Sequence, residues 1–180
     1  MRTVYTSGPL KRERVLEAAL TVAEREGLER LSMRLLGREL GVSTMALYRH
    51  VTNKDDLLDG LVALLLGELE IPEESLPWDE RLRRLAREVR ALAHRRPELF
   101  GLLLRRRAVG EEATHAREAA LRALRDAGLE SKAAERMERL LSTVVMGFAL
   151  SEATGRFEGI DVDEEFDGAL ELLARLVAAQ

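Results

Sequence analysis

Apolar and polar positions alternate with a helical period along almost the whole chain. Leucine, alanine, glutamate and arginine recur at spacings of three and four residues, and the period-two alternation of a half-buried strand is absent. The pattern predicts an all-α fold of about nine helices. Two short helices are expected within residues 31–58. The other seven are expected at residues 10–26, 54–69, 78–95, 98–106, 111–127, 131–155 and 162–178.

Residues 31–58 carry the most informative pattern, LSMRLLGRELGVSTMALYRHVTNKDDLL. Ser32, Ser43 and Asn53 each stand where a side-chain oxygen can cap the helix that follows. Gly41 stands where a helix ends in the left-handed conformation, which costs glycine little. The pattern predicts two short helices joined by a tight turn and followed at once by a third helix.

The second short helix has small and polar side chains opposite its inward side. Its expected inward residues are Val42, Ala46, Leu47 and Val51. The residues left outside are Thr44, Met45, Tyr48, Arg49 and His50. One packed side and one such outer side are typical of a helix-turn-helix that enters the DNA major groove. Taken singly, Gly-Val-Ser is also an ordinary helix–helix turn and Tyr48 a candidate core aromatic, but the extended string favours DNA binding.

The same string is similar to the N-terminal domain of the TetR family of transcriptional regulators. The matching motifs are Gly41-Val42-Ser43, residues 47–51, Asn53-Lys54 and Asp56-Leu57-Leu58, preceded by residues 31–34. Upstream, residues 15–19 and Glu26-Gly27-Leu28 are similar to the family's first helix and its glycine stop. The resemblance covers about residues 10–70. The rest of the chain is similar to the family only in length and helical character.

The break EIPEESLP at residues 70–77 places a domain boundary near Pro72. With the resemblance, this predicts a three-helix DNA-binding head in residues 1–70 and a helical regulatory and dimerisation body in residues 71–180. The resemblance implies a homodimeric transcriptional repressor that a small-molecule effector releases from an inverted-repeat operator in double-stranded DNA.

Nine residues of the head are the expected DNA contacts: Ser32, Arg34, Ser43, Thr44, Met45, Tyr48, Arg49, His50 and Lys54. Thr44, Met45 and Arg49 would meet base edges, and Arg49 is the strongest candidate because a guanidinium can pair bidentately with guanine. Arg49 could instead face the backbone, and Arg34 could reach either. The other five would contact phosphates and hold the head in register.

Net charge divides unevenly along the chain. Residues 1–54 carry +4 and the remaining residues −8, which together give −4. The positive end would attract phosphate while the acidic body stays away from it. Four basic residues lie before the first helix or near its start, where a flexible arm could reach DNA or where they are merely solvated: Arg2, Lys11, Arg12 and Arg14.

The predicted helix at residues 131–155 has an apolar surface wider than packing on one side requires. Together with residues 162–178, it would form a four-helix bundle between two subunits; the alternative is an ordinary monomer core. The residues expected at this dimer interface are Gly147, Leu150, Ser151, Thr154, Phe166, Leu170, Leu173 and Val177.

The resemblance also implies a cavity among helices four to eight whose occupancy changes the distance between the two heads. The residues expected to line it are Leu61, Leu65, Trp78, His94, Phe100, Leu103, Leu104, His115, Met137 and Leu141, with Leu82, Leu85 and Phe148 as further candidates. Leucine and methionine at helical spacing are also ordinary core. Because aromatic residues make up 4% of the chain, a narrow aliphatic cavity is favoured over a large planar one.

Other kinds of chemistry have little support in the sequence. The chain has no cysteine, Gly-rich phosphate loop or HExxH pair, and its three histidines match no metal motif, so no enzyme, cofactor or metal is expected. The longest apolar run, residues 61–66, is too short to cross a bilayer, and the N-terminus lacks a signal-peptide core. These features predict a soluble cytoplasmic protein. The remaining alternative is a helical adaptor that binds protein partners without ligand control.

Overall fold

A computed structural model of the chain describes residues 9–106 and 110–179, with the backbone alone for residues 111–113. The described part contains nine α-helices, one 3₁₀ turn (Leu28–Arg30) and no strand, which confirms the predicted all-α class. The helices are α1 (Arg12–Glu26), α2 (Met33–Leu40), α3 (Thr44–Leu47), α4 (Lys54–Gly67), α5 (Trp78–Arg95), α6 (Pro97–Arg105), α7 (Glu111–Asp126), α8 (Ser131–Ala153) and α9 (Val162–Ala178).

Most predicted limits agree with the observed helices, and the differences have local causes. α1 begins two residues later than expected, because Lys11 is extended at φ −123° and ψ 162°. α4 ends at Gly67 rather than at residue 69. There the amide of Glu68 is shared between the carbonyls of Leu64 and Leu65, at 3.2 and 3.3 Å, which tightens the last turn.

The predicted caps of the head are confirmed. Ser32, Ser43 and Asn53 each accept a hydrogen bond from the backbone amide three residues further on, at 3.3, 3.2 and 2.8 Å. Gly41 ends α2 in the left-handed conformation, at φ 68° and ψ 29°. These four residues set the starts of α2, α3 and α4 and the end of α2.

One apolar core joins the head to the body. In the head, Leu36, Leu47 and Leu57 are fully buried, and each stabilises the fold by about 1.5–3 kcal/mol relative to an exposed side chain. The same core continues into the body through Leu92 and Phe100. The packing is therefore continuous across the predicted boundary near Pro72.

The body packs α5, α7 and α8 on one another, with α9 against α8 and α5. Two arginines flank α6 and hold it to the head. Arg96 pairs with Glu24 of α1 and, at 3.0 Å, with Glu68 after α4, whereas Arg106 pairs with Asp59 of α4 at 2.9 Å. Among the described helices, none combines the length and apolar character that crossing a membrane requires.

Candidate nucleic-acid interface and effector cavity

The turn between α2 and α3 depends on a close approach at Gly37. The amide of Val42 donates to the carbonyl of Gly37 at 2.9 Å, which folds the chain back onto α2. A β-carbon at position 37 would lie 2.9 Å from the Val42 carbonyl oxygen, closer than real β-carbons approach. Glycine at this position therefore fixes where α3 begins relative to α2.

α3 is shorter than predicted. It spans Thr44–Leu47, and residues 48–50 form a turn instead of continuing the helix to residue 51. The amide of His50 donates to the Leu47 carbonyl at 2.8 Å, three residues back, so the chain tightens after Leu47. Leu47 and Val51 are fully buried and anchor the two ends of this turn.

The nine expected DNA contacts are not part of the buried core. Met45 is 73% exposed and Tyr48 46% exposed, so Tyr48 is not a core aromatic. Thr44 and His50 are half-buried, and the exposed remainder are Ser32, Arg34, Ser43, Arg49 and Lys54. Opposite the buried Leu47, the segment of residues 43–50 therefore presents hydroxyl, thioether, phenol, guanidinium and imidazole groups to solvent. We call residues 43–50 the recognition segment.

The expectation of a flexible basic arm is wrong for Arg12. Arg12 is the first residue of α1, and its guanidinium pairs with Asp56 at the start of α4 at 2.6 Å. Arg14 is half-buried within α1, whereas Arg2 lies outside the described residues. Arg12 therefore belongs to the internal framework of the head.

A cavity of about 230 Å³ lies in the body between α5, α7, α8 and α9, with the end of α4 at its edge. Its apolar lining residues are Leu66, Leu69, Trp78, Leu82, Leu85, Ala86, Val89, Ala116, Ala120, Leu141, Val145, Met146, Leu170, Leu173, Ala174 and Val177. Its polar lining residues are Asp79, Arg83, Arg117, Glu138 and Ser142. Such a site can hold a mainly apolar molecule that carries a few polar groups.

The cavity wall contains a buried carboxylate, Glu138, which is 8% exposed. Arg117 on α7 donates to it through Nε at 3.3 Å, and half of the Arg117 side chain is exposed. Neither Arg117 nor Glu138 was predicted from the sequence as a site residue. A signal was present, since Glu138 interrupts the apolar stripe of α8 between Met137 and Leu141.

Trp78 and Leu141 line the cavity as expected, as do the further candidates Leu82 and Leu85. The other expected residues lie elsewhere. Leu61, Leu65, Phe100, Leu103 and Met137 pack into the apolar cores rather than line the cavity, and His94, Leu104 and His115 are exposed. Phe148 instead contacts the rings of Phe157 and Phe166 at 4.8 and 5.1 Å.

These differences share one physical reason. Helical spacing identifies the inward side of a helix but does not separate tightly packed positions from positions beside a cavity. His94 is exposed and pairs with Glu152, whose carboxylate lies 3.0 Å from its Nε2, so it does not face the cavity. The pKa of Glu152 is lowered, chiefly by the hydrogen bond that Arg90 donates to it.

The expected dimer-interface residues divide between interior and surface. Phe166, Leu170 and Val177 are 1%, 5% and 1% exposed in the single chain, so they stabilise the body itself. Leu173 lines the cavity, Leu150 packs against the core, and Thr154 is exposed at the end of α8.

Other apolar side chains of α8 and α9 are exposed to solvent in the single chain. Leu140 and Val144 on α8 and Leu172 and Leu176 on α9 are between 37% and 67% exposed. Gly147 and Ser151 continue the α8 stripe at helical spacing. We call these six residues the outer face.

A metal centre has no support in the described residues. No group of three or more histidine, aspartate or glutamate side chains in this part of the chain is arranged to hold a metal ion.

Two family profiles match the chain. The profile described as "Bacterial regulatory proteins, tetR family" matches residues 15–61, and the one described as "Tetracyclin repressor-like, C-terminal domain" matches residues 71–178. Among curated proteins, the HTH-type transcriptional repressor DrrR1 of Streptomyces coeruleorubidus is 37% identical over 140 residues, which cover 74% of this chain and 48% of DrrR1. The chain spans about half to two thirds of the length of the first curated relatives it matches.

Solved structures show the same fold. Apo ActR from Streptomyces coelicolor has a TM-score of 0.87 and 28% identity, with 97% of each chain covered, and ActR has also been solved with actinorhodin. BioQ bound to its double-stranded DNA operator has a TM-score of 0.77 and 26% identity, covering 96% of this chain and 100% of that chain. These similarities confirm the predicted fold with its N-terminal helix-turn-helix and favour a regulator over an enzyme.

Proposed function

Because the chain belongs to the TetR family of bacterial regulatory proteins, we propose that it is a sequence-specific DNA-binding transcriptional repressor, located in the cytoplasm with the DNA it binds. The observation that carries the proposal is the recognition segment. Buried Leu47 anchors it from inside, while Met45, Tyr48 and Arg49 are exposed. The repressor DrrR1 and the operator-bound BioQ structure support the same function.

The exposed groups of the head divide into two roles. Arg49, Thr44 and Met45 are proposed to meet base edges in the major groove, since their side chains project from the outer side of the recognition segment. The residues proposed to contact phosphates are Ser32, Ser43, Tyr48, His50 and Lys54, and Arg34 is proposed to serve either role. The two domains keep the proposed limits 1–70 and 71–180.

Arg49→Ala and Lys54→Ala are expected to weaken DNA binding in different ways. Arg49→Ala should reduce affinity for the operator by about 10- to 100-fold and leave random DNA little affected, because it removes a base contact. Lys54→Ala should weaken both DNAs alike and lower the slope of log affinity against log salt by about one, because it removes a phosphate contact. Fluorescence anisotropy with the two duplexes at several salt concentrations measures both effects. Equal losses for Arg49→Ala on both duplexes would refute its assignment.

The outer face supports a homodimer. Four large apolar side chains on α8 and α9 face solvent, while small Gly147 and Ser151 on the same stripe let a second helix approach closely. Two copies of α8 and α9 would bury this surface as a four-helix bundle. The resulting two-fold symmetry would place two heads on an inverted-repeat operator.

The cavity supports control by a small, mainly apolar effector. ActR, which has the same fold, has been solved with actinorhodin. Leu66, near the end of α4, lines the cavity, while Lys54 begins the same helix beside the recognition segment. An effector that favours one position of α4 would therefore change the placement of the head. Glu138 and Arg117 are positioned to receive its polar group.

Ala120→Trp should fill the cavity and block occupancy. Anilinonaphthalene sulfonate, an apolar fluorescent probe, should bind the wild-type cavity. Its affinity should fall by about tenfold or more in the variant, because an indole takes up much of the available space. Operator binding should remain. Lys132→Trp, which adds the same side chain at an exposed position of α8, is the control. Unchanged probe affinity in Ala120→Trp would argue against the cavity as the effector site.

A further inference from the structure

Arg12 and Asp56 form a bidentate pair that ties the start of α1 to the first turn of α4. Arg12 donates through Nη2 to Asp56 Oδ1 at 2.6 Å and through Nη1 to Oδ2 at 3.2 Å. The hydrogen bond from Arg12 lowers the pKa of Asp56 below its ordinary value, although partial burial acts in the opposite direction. The carboxylate is therefore ionised at neutral pH, and the pair has fork-to-fork geometry.

The same two side chains hold the chain between the recognition segment and α4. Arg12 Nη1 also donates to the carbonyl oxygen of His50 at 2.8 Å. Asp56 Oδ2 accepts from the backbone amide of Thr52 at 2.7 Å and from its hydroxyl at 3.2 Å. Residues 51–53 form no helix, so these side-chain bonds fix the connection.

The recognition segment needs such support because its own helix is short. α3 has four residues, fewer than an isolated helix requires for stability, and its exposed turn carries Tyr48 and Arg49. Leu47 and Val51 are buried and anchor the inner side of the segment. Because the hydrophobic effect is non-directional, these contacts alone do not fix the orientation of the segment. The Arg12 fork adds directional bonds at the point where the segment ends.

We propose that Arg12 and Asp56 are positioning residues for operator recognition, which orient the recognition segment relative to the start of α4 without contacting DNA themselves. The inference rests on the proposed DNA-binding function. It replaces the expectation that Arg12 reaches phosphate, because its guanidinium is already committed to Asp56 and to the His50 carbonyl. Arg12 therefore acts through Asp56 and His50.

The direction in which Asp56→Asn changes DNA affinity separates a positioning role from a purely electrostatic one. Asp56 carries a negative charge two residues from Lys54, a proposed phosphate contact. If charge alone mattered, Asp56→Asn would tighten binding to all DNA. If Asp56 holds the recognition segment in place, the same substitution should weaken operator binding, because loss of geometry affects base contacts most.

The test compares Arg12→Gln, Asp56→Asn and the double variant by fluorescence anisotropy, on the operator duplex selected by the wild-type protein and on a random duplex of equal length. Each single variant should lose about tenfold or more on the operator and less than about twofold on random DNA. The double variant should lose clearly less than the sum of the two single losses, since each substitution removes the Arg12–Asp56 pair. The salt slope should not change.

Two further variants complete the design. Arg12→Lys keeps the charge but cannot form the fork, so it should also lose operator affinity. Lys11→Gln removes the same charge from the neighbouring exposed position and should affect the two duplexes equally. Circular dichroism melting of every variant, with random-duplex binding, shows whether the head remains folded.

The inference is overturned if Arg12→Gln weakens both duplexes alike with a lower salt slope, if Asp56→Asn tightens operator binding, if the two losses add, or if Arg12→Lys binds like the wild-type protein. A wild-type protein without preference for any DNA would instead overturn the proposed function, and this inference with it. The two failures are therefore distinguishable.

Discussion

Leu172→Glu should convert the protein from a dimer into monomers and reduce operator affinity by about 100-fold or more, because one head alone loses the gain from simultaneous binding of two linked sites. Leu172 is 67% exposed, the largest value on the outer face, so the substitution leaves the core of the body intact. In a dimer formed through the outer face, the glutamate would be buried at the interface without a partner, which is costly. Sedimentation velocity and anisotropy on the operator measure the two effects.

Ala178→Glu is the matched control for this substitution. It adds the same charge to α9 at an exposed position, turned away from Leu172 and Leu176 by the helical spacing. The control variant should remain dimeric and bind the operator like the wild-type protein. A dimeric Leu172→Glu with full operator affinity would show that the outer face is not the interface between subunits.

Gly37→Val should reduce operator affinity to nearly the level of random DNA, a loss of about 10³-fold. Its β-carbon would lie 2.9 Å from the Val42 carbonyl oxygen, and backbone cannot yield as a flexible side chain does. The turn and α3 must therefore move away from α2, which displaces the recognition segment. The same crowding should lower the free energy of unfolding by about 1–3 kcal/mol. Urea unfolding and anisotropy on the operator measure both.

Gly101→Ala is the control for a glycine inside a helix. Its β-carbon would meet only the end of the Arg105 side chain at 3.6 Å, which is ordinary contact. Because alanine favours helix over glycine, this variant should gain about 0.5–1 kcal/mol in the free energy of unfolding and bind the operator normally. If Gly37→Val bound the operator as well as Gly101→Ala does, the close approach of α2 and α3 would not matter for recognition.

The head could be predicted from the sequence because its signals are local. Ser32, Ser43 and Asn53 act on amides three residues away, and Gly41 acts on its own backbone. Such short-range effects can be predicted without knowledge of the tertiary structure. The role of Arg12 could not be predicted in the same way, since its partner Asp56 lies 44 residues further along the chain.

The body could be predicted less well because helical spacing does not say what lies opposite an apolar stripe. α9 has apolar residues on two sides. Leu170 and Val177 pack inward, whereas Leu172 and Leu176 remain exposed, and spacing alone did not distinguish them. The position of the cavity also cannot be predicted from the sequence. Leu61 and Leu65 are tightly packed, while Leu66 on the same helix lines the cavity. Glu138, a charge within the apolar stripe of α8, was a signal in the sequence that was not used to predict the cavity wall.

The most direct test of sequence-specific DNA binding is the selection of duplexes from a random pool by the wild-type protein, followed by titration of the selected duplex. The selected sequences should share an inverted repeat, two protomers should bind each duplex, and affinity should exceed that for random DNA by about 10³-fold or more at physiological salt. A pool without a common sequence, or equal affinity for selected and random duplexes, would contradict the proposed function.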